Sequence, residues 1–238
     1  MKSWFFGAPR LAAAFLFLVP GGLFAQDSAS ANGQSLAASL RAAAPDENSE
    51  VRGVLRIHSS SLRTNIPVVC KVEVVSNSWR TVYQTPVDTL SVVHFTNAPS
   101  QYIYSQRNGP TNSLAPSNAA IPLAGSDFSL ADLGLEFLHW PVQRQLKGQM
   151  RLGQPCFVLE SSTPDAAAGV VRVCSFIDKE SGGIILADAY DAGGSVIKEF
   201  SLHGSFFRKV HGQWRLEKME MIDKQKHSQT IFQFDIKE

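Results

Sequence analysis

Residues 170–200 read VVRVCSFIDKESGGIILADAYDAGGSVIKEF. Val170 to Asp178 has the β-branched and aromatic content of a strand. Ile184 to Tyr190 is a second such run, and Ser195 to His203 a third. Asp191-Ala192-Gly193-Gly194 between the last two is a turn signal, because Gly supplies positive φ and Asp hydrogen-bonds its own backbone. The same acidic, Gly-rich stretch (188–194) invites comparison with a calcium loop. It lacks the regular oxygen spacing and the closing Glu of one, so the turn reading stands. Strand, turn, strand, turn, strand is the grammar of an antiparallel sheet.

Working outward, runs of the same kind recur from Val51 to Gln106 and from Val142 to Ile236. The count is about eleven strands, with turn signals every 8–12 residues or so. That spacing predicts a mainly β (α+β) fold built on a single strongly curved antiparallel sheet, closed or part-closed as a barrel. Asn108 to Ala120 is rich in Asn, Pro, Ser and Gly and reads as a long loop. No internal repeat and no domain boundary follow residue 45.

Two segments break the strand pattern. Gln34 to Ala43 (QSLAASLRAA) places Leu36 and Leu40 one turn apart, which predicts a short helix ended by Pro45. Gly125 to Leu133 (GSDFSLADL) carries Ser129 as an N-cap with Asp132 three residues on, a capping-box pattern. The expected helix runs to about Phe137, since Pro141 stops it soon after. Leu130, Leu133, Leu135, Phe137, Leu138 and Trp140 are too many apolar residues for a half-exposed helix. A sheet curled this far encloses space, and the helix is expected to lie across its concave face, either completing the core or covering a cavity.

The N-terminus reads as a secretory signal. Lys2 and Arg10 precede an apolar run, Leu11 to Val19, which is too short to span a bilayer. Leu23-Phe24-Ala25 offers cleavage after Ala25. The expected organisation is a signal peptide over 1–25, a mobile leader over 26–33 and one domain over 34–238, in a soluble periplasmic protein. Removing the first 25 residues leaves 20 Lys+Arg against 21 Asp+Glu. A phosphate-binding surface needs a basic excess, so nucleic acid is not an expected partner.

Three cysteines, Cys70, Cys156 and Cys174, leave at least one unpaired. If residues 154–160 and 170–178 form a hairpin centred on Asp165, Cys156 and Cys174 face each other, with Cβ atoms about 4.5–5.5 Å apart. The sequence leaves open a disulfide, which an oxidising compartment favours, or two reduced buried thiols.

Catalytic signatures do not stand out. There is no GxSxG elbow, HExxH, Walker loop or dinucleotide fingerprint. The six His are scattered, without a second His or Cys at metal-ligand spacing. His58 before Ser59-Ser60-Ser61 is an ordinary loop pattern. No enzyme activity, metal or cofactor is expected.

From Gly125 onward the chain resembles the exported LolA-like family of outer-membrane lipoprotein-sorting proteins. The likeness rests on GSDFSLADL (125–133), LKGQMRLGQPCFVLES (146–161), the 170–200 stretch and WRLEKMEMIDKQKHSQTIFQFD (214–235), in that order. Trp79-Arg80 and Tyr83 extend it more loosely into the first half. The resemblance implies an incomplete barrel whose short helices cover an apolar cavity that shields acyl chains. It implies lipids or lipoproteins as ligands and membrane lipoprotein-sorting components as partners. Trp79, Tyr83, Phe95, Leu133, Phe137, Leu138 and Trp140 are the expected lining. The alternative is an envelope sensor or interaction module of the same fold that binds a protein, with the polar loop 108–120 as its contact. A hydrolase is the third reading, disfavoured by the missing nucleophile motif.

Overall fold

The computed structural model describes residues 29–236, apart from 62, 76–77, 97, 108, 116–117, 168, 203–205 and 211–212. The expected signal peptide and the first residues of the leader lie outside that range. Thirteen strands form one antiparallel sheet in the order β6-β5-β4-β3-β2-β1-β15-β14-β11-β10-β9-β8-β7. Their ranges are β1 Ser49–His58, β2 Arg63–Val75, β3 Ser78–Gln84, β4 Asp88–Phe95, β5 Gln101–Gln106, β6 Thr111–Leu114, β7 Val142–Arg151, β8 Gln154–Ala167, β9 Val170–Asp178, β10 Ile184–Tyr190, β11 Val196–Ser201, β14 Lys218–Asp223 and β15 Ser228–Phe234. β12 (Phe207–Val210) and β13 (Gln213–Leu216) pair separately as a hairpin between β11 and β14. β6 and β7 are edges that do not meet, so the barrel is incomplete.

Alternation decides which face is inside. Leu55 and Ile57 of β1, Val68, Cys70 and Val72 of β2, Leu90 and Val92 of β4, and Met219 and Met221 of β14 are all buried. Most join one large cluster on the concave face. Each alternates with more exposed neighbours, as a period of two requires. The convex face of β8–β10 carries a smaller cluster of Cys156, Val158, Phe176 and Ile185.

The sheet has more strands than expected, and the differences have physical causes. Thr111–Leu114 falls in the stretch read as a polar loop, yet pairs with β5. Its residues are exposed or half-exposed, so free hydrogen-bonding groups on the edge of β5 determine this strand rather than burial. Within the strand-like stretch from Val142 to Ile236, residues 214–222 are divided between β13 and β14.

Helix α1 spans Ala29–Ala42, beginning five residues before the expected start, so 29–33 are helical rather than leader. It buries Ala37 and Leu40 and lies on β7. An ideal Cβ on Gly33 would come within 2.6 Å of the Arg144 backbone, so only Gly permits this approach.

The second expected helix is shorter than its apolar content implies. α2 covers only Leu130–Leu133. Leu135 then takes a left-handed conformation (φ 50°), and Glu136–His139 form a separate 3-10 turn. The break lies under Tyr102 of β5. An ideal Cβ on Gly134 would stand 2.6 Å from the Tyr102 ring and hydroxyl, and Tyr102 is fully buried. Gly134→Ala is therefore expected to destabilise the protein by about 2 kcal/mol, the range for overpacking a filled core. Urea unfolding measures it; a loss under about 0.5 kcal/mol would mean Tyr102 yields easily.

The cysteine pairing is not realised. Cys156 stands opposite Asp178, and Cys174 opposite Glu160. The hairpin is asymmetric, with a register shift between Ser162 and Ala167. Cys156 and Cys174 are thus four positions out of register, roughly 13 Å along the strands, beyond disulfide reach. All three cysteines are free and buried.

Candidate functional site

The segment 120–141 is a plug laid inside the curled sheet, and its polar residues anchor it strand by strand. Asp88 of β4 accepts from the Ala124 N–H at 2.9 Å. Asp127 is buried and accepts from Ser228 Oγ at 2.5 Å and Thr230 Oγ1 at 2.7 Å, both on β15. Phe128 is fully buried and meets Phe232 edge-on at 6.4 Å. Ser129 caps α2 as expected: its Oγ accepts from Asp132 N at 3.2 Å, and Asp132 Oδ2 accepts from Ser129 N at 2.8 Å. The Tyr102 hydroxyl donates to Glu136. Gln143 of β7 donates to the carbonyls of Phe137 and Trp140 at 2.9 and 3.0 Å, and accepts from Ser161 of β8 at 2.7 Å.

Sheet register explains what the plug faces. Gln143, Ser161, Val173, Ala189, Lys198, Asp223 and Ser228 pair in succession across β7, β8, β9, β10, β11, β14 and β15. They form one cross-strand row on the concave face. The plug follows it. Asp127 sits over Ser228, Asp132 pairs with Lys198, and the end of the plug hangs from Gln143. The plug is fastened to β4, β5 and β15 and leaves a groove of about 770 Å³ against β8–β11.

The groove is graded in polarity. Ala131, Phe137, Trp140, Pro164, Val170, Val173, Ala189 and Ile197 supply apolar wall. Asp127, Asp132, Lys198, Asp223 and Lys226 mark its charged part. There Lys198 pairs with Asp132 across the groove, and Lys226 with Asp223 at 2.8 Å. Asp132, Phe137, Val173, Ala189 and Lys198 also line a deeper apolar space of about 40 Å³ that reaches Ala187, Phe200 and Met221. The Lys198–Asp132 pair thus stands between an outer groove and an inner apolar chamber. Glu136 borders the groove, and burial pushes its carboxyl up from the ordinary carboxylate range, against the Tyr102 hydrogen bond.

Of the seven residues expected to line a cavity, Phe137 and Trp140 line the groove. Leu133 and Tyr83 are buried in the core. Trp79, Phe95 and Leu138 border a separate void of about 20 Å³, room for about one water. The strand walls of the groove were missed. Val173 and Ala189 look like any strand residues, and only register puts them on one row facing the plug; Ile197 joins the wall from the irregularity between Ala189 and Tyr190, next to Lys198 of that row.

The small void has its own chemistry. His94 stacks on Trp79 with centroids 4.8 Å apart. Its Nε2 is buried and has no hydrogen-bond partner among the described residues. Burial, then His139, depresses the His94 pKa to about 3; burial, then Arg41, depresses that of His139 to about 4. Both therefore protonate in the unfolded chain, near 6.5, before they do so in the folded one. Their contribution is complete above about 6.5 and is lost as pH falls toward 4. The raised Glu136 carboxyl opposes this trend. Thermal unfolding is expected to show Tm falling between pH 7 and 4.5, with on the order of 2 kcal/mol lost per histidine. His94→Phe, which keeps the stack on Trp79 and removes the titration, should flatten the curve; an unchanged pH profile would exclude His94 as a source.

A family model described as "Uncharacterized protein" matches residues 82–237, a span that includes the plug and every groove residue named above. The chain belongs to that family. No curated protein matches it. Among solved structures, the chain is similar to an outer-membrane lipoprotein-sorting protein domain from Vibrio parahaemolyticus, at 17% identity and a TM-score of 0.71, covering 87% of this chain and 92% of that one. A DUF1329 family protein from Desulfovibrio piger matches at 14% identity and a TM-score of 0.69, covering 88% and 92%. A LolA superfamily protein from Nitrosomonas europaea matches at 11% identity and a TM-score of 0.57, covering 88% and 93%. At these identities the likeness is one of fold, and the fold is LolA-like.

Proposed function

We propose that this chain is an exported, non-enzymatic binder of acyl chains that carries a lipid or lipoprotein through the periplasm toward the outer membrane. The observation that carries the reading is the graded groove between plug and sheet. A volume of about 770 Å³ is in the range of small-molecule sites. Each CH₂ of an acyl chain that leaves water gains about 0.8 kcal/mol, so an apolar trough retains such a chain without directed bonds. The Phe137, Trp140, Val170 and Val173 walls suit the chain, and the Lys198, Asp223 and Lys226 part suits a polar head. The structurally similar Vibrio protein, named for outer-membrane lipoprotein sorting, agrees in kind. Residues 1–25 serve in this reading as the cleaved export signal.

The test is native mass spectrometry of the mature chain purified from periplasm without detergent, paired with titration of a fluorescent acyl probe. Bound acyl-containing mass, or saturable probe uptake, is the expected result. A ligand-free mass together with no probe uptake would overturn the proposal.

A further inference from the structure

We propose that the β7–β8 hairpin tip is a peripheral docking element for an anionic phospholipid surface. Six large apolar side chains are exposed among the described residues, and four of them, Val142, Leu146, Met150 and Leu152, lie on β7 and its turn. β7 is an edge strand, where exposed apolar side chains invite association and are ordinarily avoided. Met150 is the most prominent at the tip, 61% exposed.

The turn shows that this exposure is not a by-product of folding. Arg151 pairs with Gln154, so Leu152 and Gly153 form a two-residue loop, with φ of 49° and 78°. A turn with two positive φ values favours Asn-Gly. Leucine there adopts a left-handed conformation that its Cβ disfavours, and its side chain is 39% exposed instead of being buried in return. Local stability would be better served by Asn, so the leucine's use lies outside the fold.

Charge selects the occupant. Lys147 and Lys179 are exposed beside the tip. The Lys179 N–H bonds the Pro155 carbonyl at 3.0 Å, which holds the β9–β10 turn against the hairpin. Arg151 stacks on Phe176 at 4.5 Å and bonds the Met150 carbonyl. Glu180 is the exposed carboxylate nearby. A convex tip with apolar points amid cations fits a headgroup layer that accepts both, with basic residues attracted to anionic lipid and apolar ones entering the acyl boundary.

The test is flotation of the mature protein with vesicles of phosphatidylethanolamine and phosphatidylglycerol, compared with phosphatidylcholine alone. Binding is expected with phosphatidylglycerol and to weaken in high salt. Met150→Ser/Leu152→Asn should reduce it about tenfold, since two apolar side chains no longer leave water. Leu152→Asn alone should keep or raise Tm, separating docking from folding. Phe137→Asp in the groove should float as the wild type does, which distinguishes failure here from failure of the carrier reading. No phosphatidylglycerol-dependent flotation, an unaffected double variant, or a double variant that loses only self-association would overturn the proposal.

Discussion

Asp127→Ala is expected to lower the unfolding free energy by about 3 kcal/mol, the upper range for single substitutions that break a buried polar network. Asp127 is 5% exposed, and its two oxygens accept from Ser228 and Thr230. Hydrogen bonds to a charged acceptor contribute about 1.5–3 kcal/mol, and removing the carboxylate leaves two hydroxyls facing a void. Part of the loss is moderated, because the Asp127 N–H still donates to Thr230 Oγ1 at 3.0 Å. Urea unfolding should show a lower midpoint with an unchanged slope. A double-mutant cycle with Thr230→Val should give a coupling of about 1 kcal/mol or more. If Asp127→Ala costs under about 1 kcal/mol, the plug is held by its apolar residues and the anchor is incidental.

Phe137→Asp is expected to weaken acyl-probe binding roughly 100-fold, on the order of 3 kcal/mol. Phe137 borders both the outer groove and the inner chamber. A carboxylate there must stay hydrated where the acyl chain would lie, and burying it unpaired is costly. It also joins Asp132 and Glu136 in the same groove, so no cation is freed to compensate. The fold should survive with a loss of about 1–2 kcal/mol, because Phe137 is only half-buried and its carbonyl keeps the Gln143 bond. Val75→Asp, at a site 62% exposed, is the control and should leave both binding and stability unchanged. Undiminished binding in a folded Phe137→Asp protein would remove the plug from the site.

Local sequence determined a good deal of this molecule. The strands over 170–200 follow from composition and Gly-rich turns, which act within a few residues. Ser129 and Asp132 determined the N-terminus of α2, because a capping box closes within one turn. The apolar excess from Leu130 to Trp140 required that the segment be enclosed. Tertiary structure decided the rest, since it depends on contacts between residues far apart in the chain. Gly134 marks the end of α2 locally, but that its backbone must pass under the buried Tyr102 ring, far off in the chain, is a tertiary contact. The β8–β9 hairpin closes at the Ala167–Val170 pair instead of around Asp165, which leaves Cys156 opposite Asp178 and Cys174 opposite Glu160. Leu133 and Phe137 look alike in sequence, but one fills the core and the other lines a groove. That distinction arises because the plug is fastened to β4, β5 and β15 and stands off from β8–β11. Lys198 and Asp132 become partners only when the curled sheet brings β11 over α2. The graded groove is therefore a property of sheet curvature and register, which no short stretch of the chain contains.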